Sequence, residues 1–435
     1  MAKISFLGGC REVGRSGILI ESNSGEKCIL DYGIRFRGEE RLPLDFDKEN
    51  LKAIALTHCH IDHSGAIPFI FKSASCPLFT NSISLEITEI LIRDMIRISN
   101  YPYPFGFRDL NQMMQNSRFL DCHVRQKIGE DFYLTFINAG HIPGSVSILL
   151  EVDSQKILYT GDINNQNTNL VNPTNPNSLN LPELDVLITE STYTLRNHPN
   201  RVELEKNFVE NIINITENGG RVLIPAFGVA RSQEAMLILN KYNYRGKIFI
   251  DGLARKVCMI YRNYPDSLRN GDVYNKALNK AQFISRKGRQ ATRKSNGVII
   301  APSGMLKGGA AFNFVESILN DPSSALYLIG YQVEGSPGRK LLDDGILDLS
   351  EIKRRNEGRY KIKIKAKCDY DYFDLSSHAD GEHLHQYIDS LKFNQNSNYI
   401  FCVHGDPKAT TTLANELEKK SYISIAPEIG EVYSI

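Results

Sequence analysis

Thr57-His58-Cys59-His60-Ile61-Asp62-His63-Ser64-Gly65 is the stretch from which the rest of the chain is best read. Three histidines and one aspartate fall within six residues. Leu51 to Leu56, just before it, is a short apolar run that reads as a buried strand, and Ala66 to Phe71 reads as the start of a helix. Side chains alternate in an extended segment, so His58 and His60 project to one side. Asp62 and His63 point elsewhere, toward a second position. One turn can therefore serve two adjacent metal ions. Imidazole nitrogen and carboxylate oxygen are ligands that zinc accepts, and catalytic zinc sites keep a position open for water. A polar surface turn would account for a lone His-x-His. It accounts poorly for ligand-type residues packed this densely behind a strand.

The chain has 435 residues, enough for two or three domains at roughly 150 residues each. Hydrophobic residues make up 42%, ordinary for a globular protein with a full core. A net charge of +1 excludes a global field that would draw the protein to nucleic acid or membrane, so such attraction needs a local patch. The eight cysteines are scattered, without a Cys-x-x-Cys pair, and fit free thiols in a reducing cytoplasm better than a disulfide framework. Met1 to Cys10 reads as a first strand, not a signal peptide. No apolar run approaches about 18 residues, so no membrane span is expected.

Short strands and glycine-punctuated turns dominate the start: Ile4 to Gly9, Gly17 to Glu21, and Cys28 to Asp31 ended by Gly33. Ser84 to Ser99 carries a helical apolar stripe, and Tyr101 to Phe107 is an aromatic, proline-rich loop. Strands at Phe132–Ile137 and Val146–Val152 flank Gly140-His141-Ile142-Pro143-Gly144-Ser145. Lys156–Thr160 closes with Gly161-Asp162, and Asp185–Thr189 ends at Glu190. Asn164 to Asn180 is an asparagine-rich loop. From about Tyr193 strands alternate with helices, which argues for a parallel sheet in a doubly wound layout. After about Lys367 the chain returns to loops bearing His378 and His404, so the second domain reads as an insertion. The expected division is 1–192, an inserted 193–367, and a returning 368–435. Two basic stretches stand out. One holds Arg286, Lys287, Arg289, Arg293 and Lys294. In the other, Lys361, Lys363, Lys365 and Lys367 share one strand face, as a solvated edge or toward RNA. His383 and His385 lie on an expected helix, facing solvent.

Asp31, the His58-x-His60-x-Asp62-His63 run, His141 and Asp162 resemble the first four motifs of the metallo-β-lactamase superfamily. Glu190, His378 in Ser376-Ser377-His378-Ala379-Asp380, and His404 in Val403-His404-Gly405-Asp406 resemble the three extra motifs of its β-CASP branch. Gly9 with Glu12 to Ser16, Pro302-Ser303-Gly304-Met305, and Gly330-Tyr331-Gln332-Val333-Glu334-Gly335 are most similar to the endonuclease subunit of the cleavage and polyadenylation specificity factor and its archaeal relatives. The resemblance covers essentially the whole chain, without the RNA-binding KH modules that many archaeal relatives carry.

The resemblance implies an α/β fold: a metallo-β-lactamase αββα sandwich with an inserted Rossmann-like β-CASP domain. It implies two zinc ions per chain, with manganese able to occupy the same set. One would be held by His58, His60, His141 and Asp162, the other by Asp62, His63, Asp162 and His404. Asp31 would orient a ligand imidazole. His378 would protonate the leaving 3′ oxygen, held and charged by Glu190, with Asp62 also in the catalytic set. Ser303, Gly304 and Ser376 would offer donors to phosphates, though for Ser303 a plain turn serves as well. The implied activity is hydrolysis of single-stranded RNA to 3′-hydroxyl and 5′-phosphate ends. Relatives cut internally, degrade 5′ to 3′, or do both, in RNA 3′-end processing or decay. A homodimer is implied, while protein partners in RNA processing are not readable. The rivals are a DNA-repair β-CASP nuclease, where a valine typically replaces His404, and a non-catalytic scaffold subunit, which should have lost ligands.

Overall fold

The computed structural model describes the chain except residues 37, 100, 177–180, 351–352, 355–357, 360–362 and 395–396. It divides into two compact units: Met1–Asn167, Asn172–Asn197 and Ser377–Ile435 form the first, and Thr168–Val171 with His198–Ser376 the second. The protein is α/β, with two mixed sheets in the first unit and a parallel sheet in the second.

One sheet of the first unit runs Val432–Ser434, Lys3–Gly8, Gly17–Glu21, Lys27–Tyr32, Leu51–Ala55, Leu78–Thr80, Ser117–Phe119. The other runs Ile423–Ile425, Tyr399–Val403, Val186–Glu190, Gln155–Tyr159, Val146–Val152, Phe132–Asn138, Arg125–Lys127. Period-two alternation sorts their side chains. Ile18, Ile20, Cys28 and Leu30 join Leu134, Phe136, Ile148 and Leu150 in one core between the sheets. Their neighbours Leu19 and Ile29 face the other way, into a core with Leu85, Ile92 and Met95 of helix Ser82–Ile98. Leu149, Leu158 and Leu187 likewise meet Leu384 and Ile388 of helix Gly381–Asp389 and Leu413 of helix Pro407–Glu418. The result is an αββα sandwich.

This topology gathers strand ends. Gln155–Tyr159, Val186–Glu190 and Tyr399–Val403 are parallel neighbours, with Ile157 opposite Val186 and Glu190 opposite Val403. The residues that follow, Asp162 and His404, thus leave the sheet on the same edge as Glu190. In the facing sheet Lys27–Tyr32 and Leu51–Ala55 are also parallel, which brings Asp31 beside Thr57.

The second unit carries a six-stranded sheet in the order Ala281–Phe283, Ile248–Ile250, Gly297–Ala301, Arg221–Pro225, Ala325–Leu328, Asp369–Tyr372. Every adjacent pair is parallel. Asp369–Tyr372 differs from the sequence reading, which returned to the first domain at 368. This edge strand alternates acids with tyrosines and lacks the apolar run that marks a buried strand.

The basic stretches resolve differently. Arg289 makes two hydrogen bonds to buried Asp251, and Arg293 donates to the Asn313 carbonyl, so both are structural. Lys361 lies outside the described residues. Lys363 and Lys365 are exposed on either side of buried Ile364, and their strand pairs with Ile346–Asp348. His383 and His385 do not stand free in solvent. Each is partly buried and paired, with Asp380 and Glu416 respectively. All eight cysteines are free thiols. Among the described residues no helix is long and apolar enough to cross a membrane.

Candidate metal centre

The site begins at Asp31. Its carboxylate accepts from the Thr57 amide (2.8 Å), the Thr57 hydroxyl (2.8 Å), the Tyr159 hydroxyl (3.0 Å) and His63 Nδ1 (2.7 Å). A carboxylate can only accept, so the proton of His63 sits on Nδ1 and Nε2 is turned inward. The same logic fixes two more rings. The Thr57 hydroxyl gives its hydrogen to Asp31 and accepts from His58 Nδ1 at 3.0 Å, which leaves His58 Nε2 bare. His141 Nδ1 lies 2.8 Å from the Ser377 carbonyl, which leaves His141 Nε2 bare.

The bare atoms converge. His58 Nε2 lies 3.1 Å and His141 Nε2 3.3 Å from His60 Nδ1. Asp162 Oδ2 is 3.5 Å from His58 Nε2 and 3.7 Å from His141 Nε2. Its other oxygen, Oδ1, is 3.3 Å from His63 Nε2 and 3.2 Å from His404 Nδ1. His404 Nε2 is 3.4 Å from Asp62 Oδ2. Among the described residues three compact donor groups result, His58/His60/His141/Asp162, Asp62/His63/His404 and the overlapping Asp162/Glu190/His404, each with its ligand atoms within 4.8 Å of one another. His63 Nε2, Asp162 Oδ1 and His404 Nε2 are buried without a hydrogen-bond partner. Buried polar atoms are rarely left so. A cation between these atoms would satisfy them, and this nitrogen–oxygen set is one that zinc takes.

Electrostatics divides the cluster. Burial, then the neighbouring His63, pushes the His58 imidazole well below its ordinary value, and burial holds His60 at about 4. Against burial, the Asp162 and Asp31 carboxylates lift His63 well above its ordinary value, and Asp162 with Asp62 raises His404. Against burial, the hydrogen bond from His404 and the charge of His63 bring Asp62 down to about 2. A metal that enters must therefore displace protons from His63 and His404. Zinc affinity is expected to rise with pH through the raised range of these histidines. Calorimetric titration in buffers of different ionisation enthalpy reads the protons released, and a heat independent of buffer would contradict it.

The backbone is shaped for the cluster. Asp31 and His404 hold φ at 56° and 49°, a region that residues other than glycine seldom enter. His404 is kept there by its amide on the Gly9 carbonyl (2.7 Å) and by the Thr192 hydroxyl on its carbonyl (2.9 Å). A Cβ on Gly33 would lie 1.6 Å from the Asp62 carbonyl oxygen, backbone against backbone. Gly33→Ala should therefore cost about 3 kcal/mol, the upper end for overpacking, seen as a lower urea midpoint in metal-free protein. An unchanged midpoint would show that the Asp62 turn can move aside.

Beside the donor groups stands His378. Its Nδ1 lies 2.9 Å from Glu190 Oε2, its Nε2 3.9 Å from Asp162 Oδ2, and its ring 4.4 Å from that of His141. Glu190 is fixed in turn by the Ile163 amide at 2.7 Å. The side chain of His378 is 16% exposed, against 0% for His58, His63 and His141, so solvent or substrate can reach it, as they can the partly exposed His60.

Ser303, Gly304 and Ser376 lie in the second unit. The Ser303 hydroxyl accepts from the Lys307 amide, the Gly304 carbonyl from Gln332, and the Ser376 carbonyl from Arg201. Sequence reasoning missed Thr57 and the Ser377 carbonyl, which set ring tautomers, and Tyr159, which donates to Asp31. Thr57 directly precedes His58 and could have been suspected. Tyr159 in a buried strand reads as packing alone. Tyr159→Phe removes one of the hydrogen bonds that hold Asp31, and zinc affinity is expected to fall about tenfold. Chelator competition measures it, and undiminished affinity would show that Thr57 suffices.

An αββα sandwich with buried histidine and aspartate donors at its strand ends defines a metallo-hydrolase. Residues 11–106 match the metallo-beta-lactamase superfamily, 232–341 the Beta-Casp domain, and 362–427 the Zn-dependent metallo-hydrolase RNA specificity domain. The chain is 32% identical to RNase aCSPSF2 of Saccharolobus solfataricus over 99% of its own length and 85% of that protein. It is 33% identical to the Probable RNase MJ4 of Methanocaldococcus jannaschii over 99% of both. A crystal structure of a protein of unknown function from Enterococcus faecalis shares the fold over 99% of both chains, at TM-score 0.62 and 16% identity. The chain belongs to the β-CASP ribonucleases of the metallo-β-lactamase superfamily.

Proposed function

We propose that the protein is a two-zinc ribonuclease acting on single-stranded RNA, cutting internally and also degrading 5′ to 3′, and leaving 3′-hydroxyl and 5′-phosphate ends. The observation that carries this reading is the Asp162 carboxylate. One oxygen faces His58, His141 and His378, and the other faces His63 and His404. A carboxylate so placed would serve two cations at once. His58, His60, His141 and Asp162 would hold one zinc, and Asp62, His63, Asp162 and His404 the other. When bound, zinc makes water a nucleophile near neutral pH and offsets negative charge on phosphoryl oxygens.

The protein groups do the rest. Asp31, Thr57 and the Ser377 carbonyl hold three ligand imidazoles in one tautomer and orientation. Glu190 accepts from His378 Nδ1, which favours the imidazolium and leaves Nε2–H to protonate the departing 3′ oxygen, as a general acid must. The names of the two relatives above, both RNases, support RNA as substrate. Ser303, Gly304 and Ser376 are proposed to bind RNA phosphates.

The test is cleavage of a 3′-end-labelled single-stranded RNA, with the same sequence as DNA in a parallel reaction. Internal fragments from RNA, lost in His63→Ala, are expected. A ladder shortening only from the 5′ end would remove the internal mode. Cleavage of DNA alone, or full activity in His63→Ala, would overturn the reading.

A further inference from the structure

We infer that Phe227 is a stacking platform for an unpaired nucleobase of the RNA, an inference that rests on the ribonuclease reading above. Phe227 follows Arg221–Pro225, an interior strand of the parallel sheet in the second unit. From that strand the chain moves to one side, through Ile248–Ile250, Ala281–Phe283 and back to Gly297–Ala301. It then crosses to the other side with Ala325–Leu328. The order of the strands therefore reverses at Arg221–Pro225. In open α/β sheets ligands bind beyond the carboxyl ends of the strands at such a reversal.

Three turns meet there, after Pro225, Ala301 and Leu328, and they are tied together. The Gln332 amide, 8% exposed, donates to the Gly304 carbonyl (2.9 Å) and the Gly330 carbonyl (2.8 Å). The Ser232 hydroxyl donates to the Phe227 carbonyl at 2.7 Å. Both neighbouring glycines are fitted to Phe227. A Cβ on Gly330 would lie 3.0 Å from the Phe227 ring, and one on Gly304 would lie 3.2 Å from its amide nitrogen. The ring therefore rests on bare backbone.

Yet the ring is not covered. Phe227 is 37% exposed in a turn whose neighbours Ala226 and Val229 are buried. The unit's other exposed phenylalanine, Phe283, lies under the Arg255 guanidinium at 5.7 Å. Among the described residues Phe227 has no such ring or cation partner. A large aromatic held by clamped backbone, with area left to solvent, matches how proteins bind single strands without reading sequence: each base has a flat face to stack. The ligand class is thus an unstacked base of single-stranded RNA, of any identity.

The experiment compares zinc-loaded wild type, Phe227→Ala, Phe227→Leu and Phe227→Trp on a short oligoribonucleotide. Matched oligonucleotides carry one abasic position, walked along the strand. Stacking energies correspond to about 5- to 150-fold per base. Phe227→Ala and Phe227→Leu should raise KM for RNA within that range with kcat little changed, and Phe227→Trp should restore it. At one abasic position wild type should bind as weakly as Phe227→Ala, and the variant should lose nothing more. If Phe227→Leu retains the wild-type KM, or if the Phe227→Ala penalty is the same on every abasic substrate, the ring acts through packing and the inference is overturned. Failure of wild type itself to cleave any RNA would strike the ribonuclease reading instead.

Discussion

Asp162→Asn should lower the proposed zinc content of two ions per chain to one or fewer and reduce the proposed RNA cleavage by about 1,000-fold or more. The size follows from the several kcal/mol that a metal ion contributes to transition-state stabilisation, at about 1.4 kcal/mol per tenfold in rate. Asp162 turns one oxygen toward His58 and His141 and the other toward His63 and His404. An amide in its place removes the negative charge that offsets the charge on His63 and His404 and turns an N–H toward one of the two sets. Metal analysis of purified protein reads the first effect and a discontinuous cleavage assay the second. Two zincs retained with near-normal turnover would show that Asp162 bridges nothing.

His378→Ala should lower kcat by about 100- to 10,000-fold, the usual range for a general acid, while zinc content and KM stay close to wild type. The reason is geometric. His378 Nδ1 is on Glu190, and its Nε2 is 3.9 Å from Asp162, so the ring borders the donor cluster without belonging to either set. Glu190→Gln should act in the same direction and less strongly, because the imidazole stays while its charge partner is lost. The pH–rate profile separates this role from a structural one. The limb that reports the acid should vanish in His378→Ala and shift in Glu190→Gln. Equal loss of zinc and of rate in His378→Ala would make the residue a ligand.

Part of this candidate centre was legible in the sequence because four of its residues lie at strand ends. Asp31, Asp162, Glu190 and His404 all end or follow apolar runs of strand length; parallel pairing carries the last three to one end of one sheet, while in the facing sheet the pairing of Lys27–Tyr32 with Leu51–Ala55 sets Asp31 beside Thr57. The dense His58 to His63 turn announces metal chemistry by composition alone. What remained hidden is of another kind. Tyr159 and Thr57 look like packing and turn residues, and their value lies in a hydrogen bond to Asp31 that only the fold creates. The Ser377 carbonyl has no side-chain signature at all, although it orients His141. Arg289 appeared to be part of a basic patch, but its charge is spent on buried Asp251. The polar strand Asp369–Tyr372 escaped because an edge strand does not need the apolar pattern by which buried strands are found.

The interleaving of the first unit has a consequence for how the molecule comes into being. His141 is fixed by a carbonyl 236 residues further along the chain, and the amide of His404 rests on Gly9. The strand Lys3–Gly8 has Val432–Ser434 for its outer partner. A chain still emerging from the ribosome holds the His58–His63 turn early, but it has neither His378 nor His404 until synthesis has passed the whole insertion. The donor cluster therefore cannot be complete until the inserted unit has been synthesised.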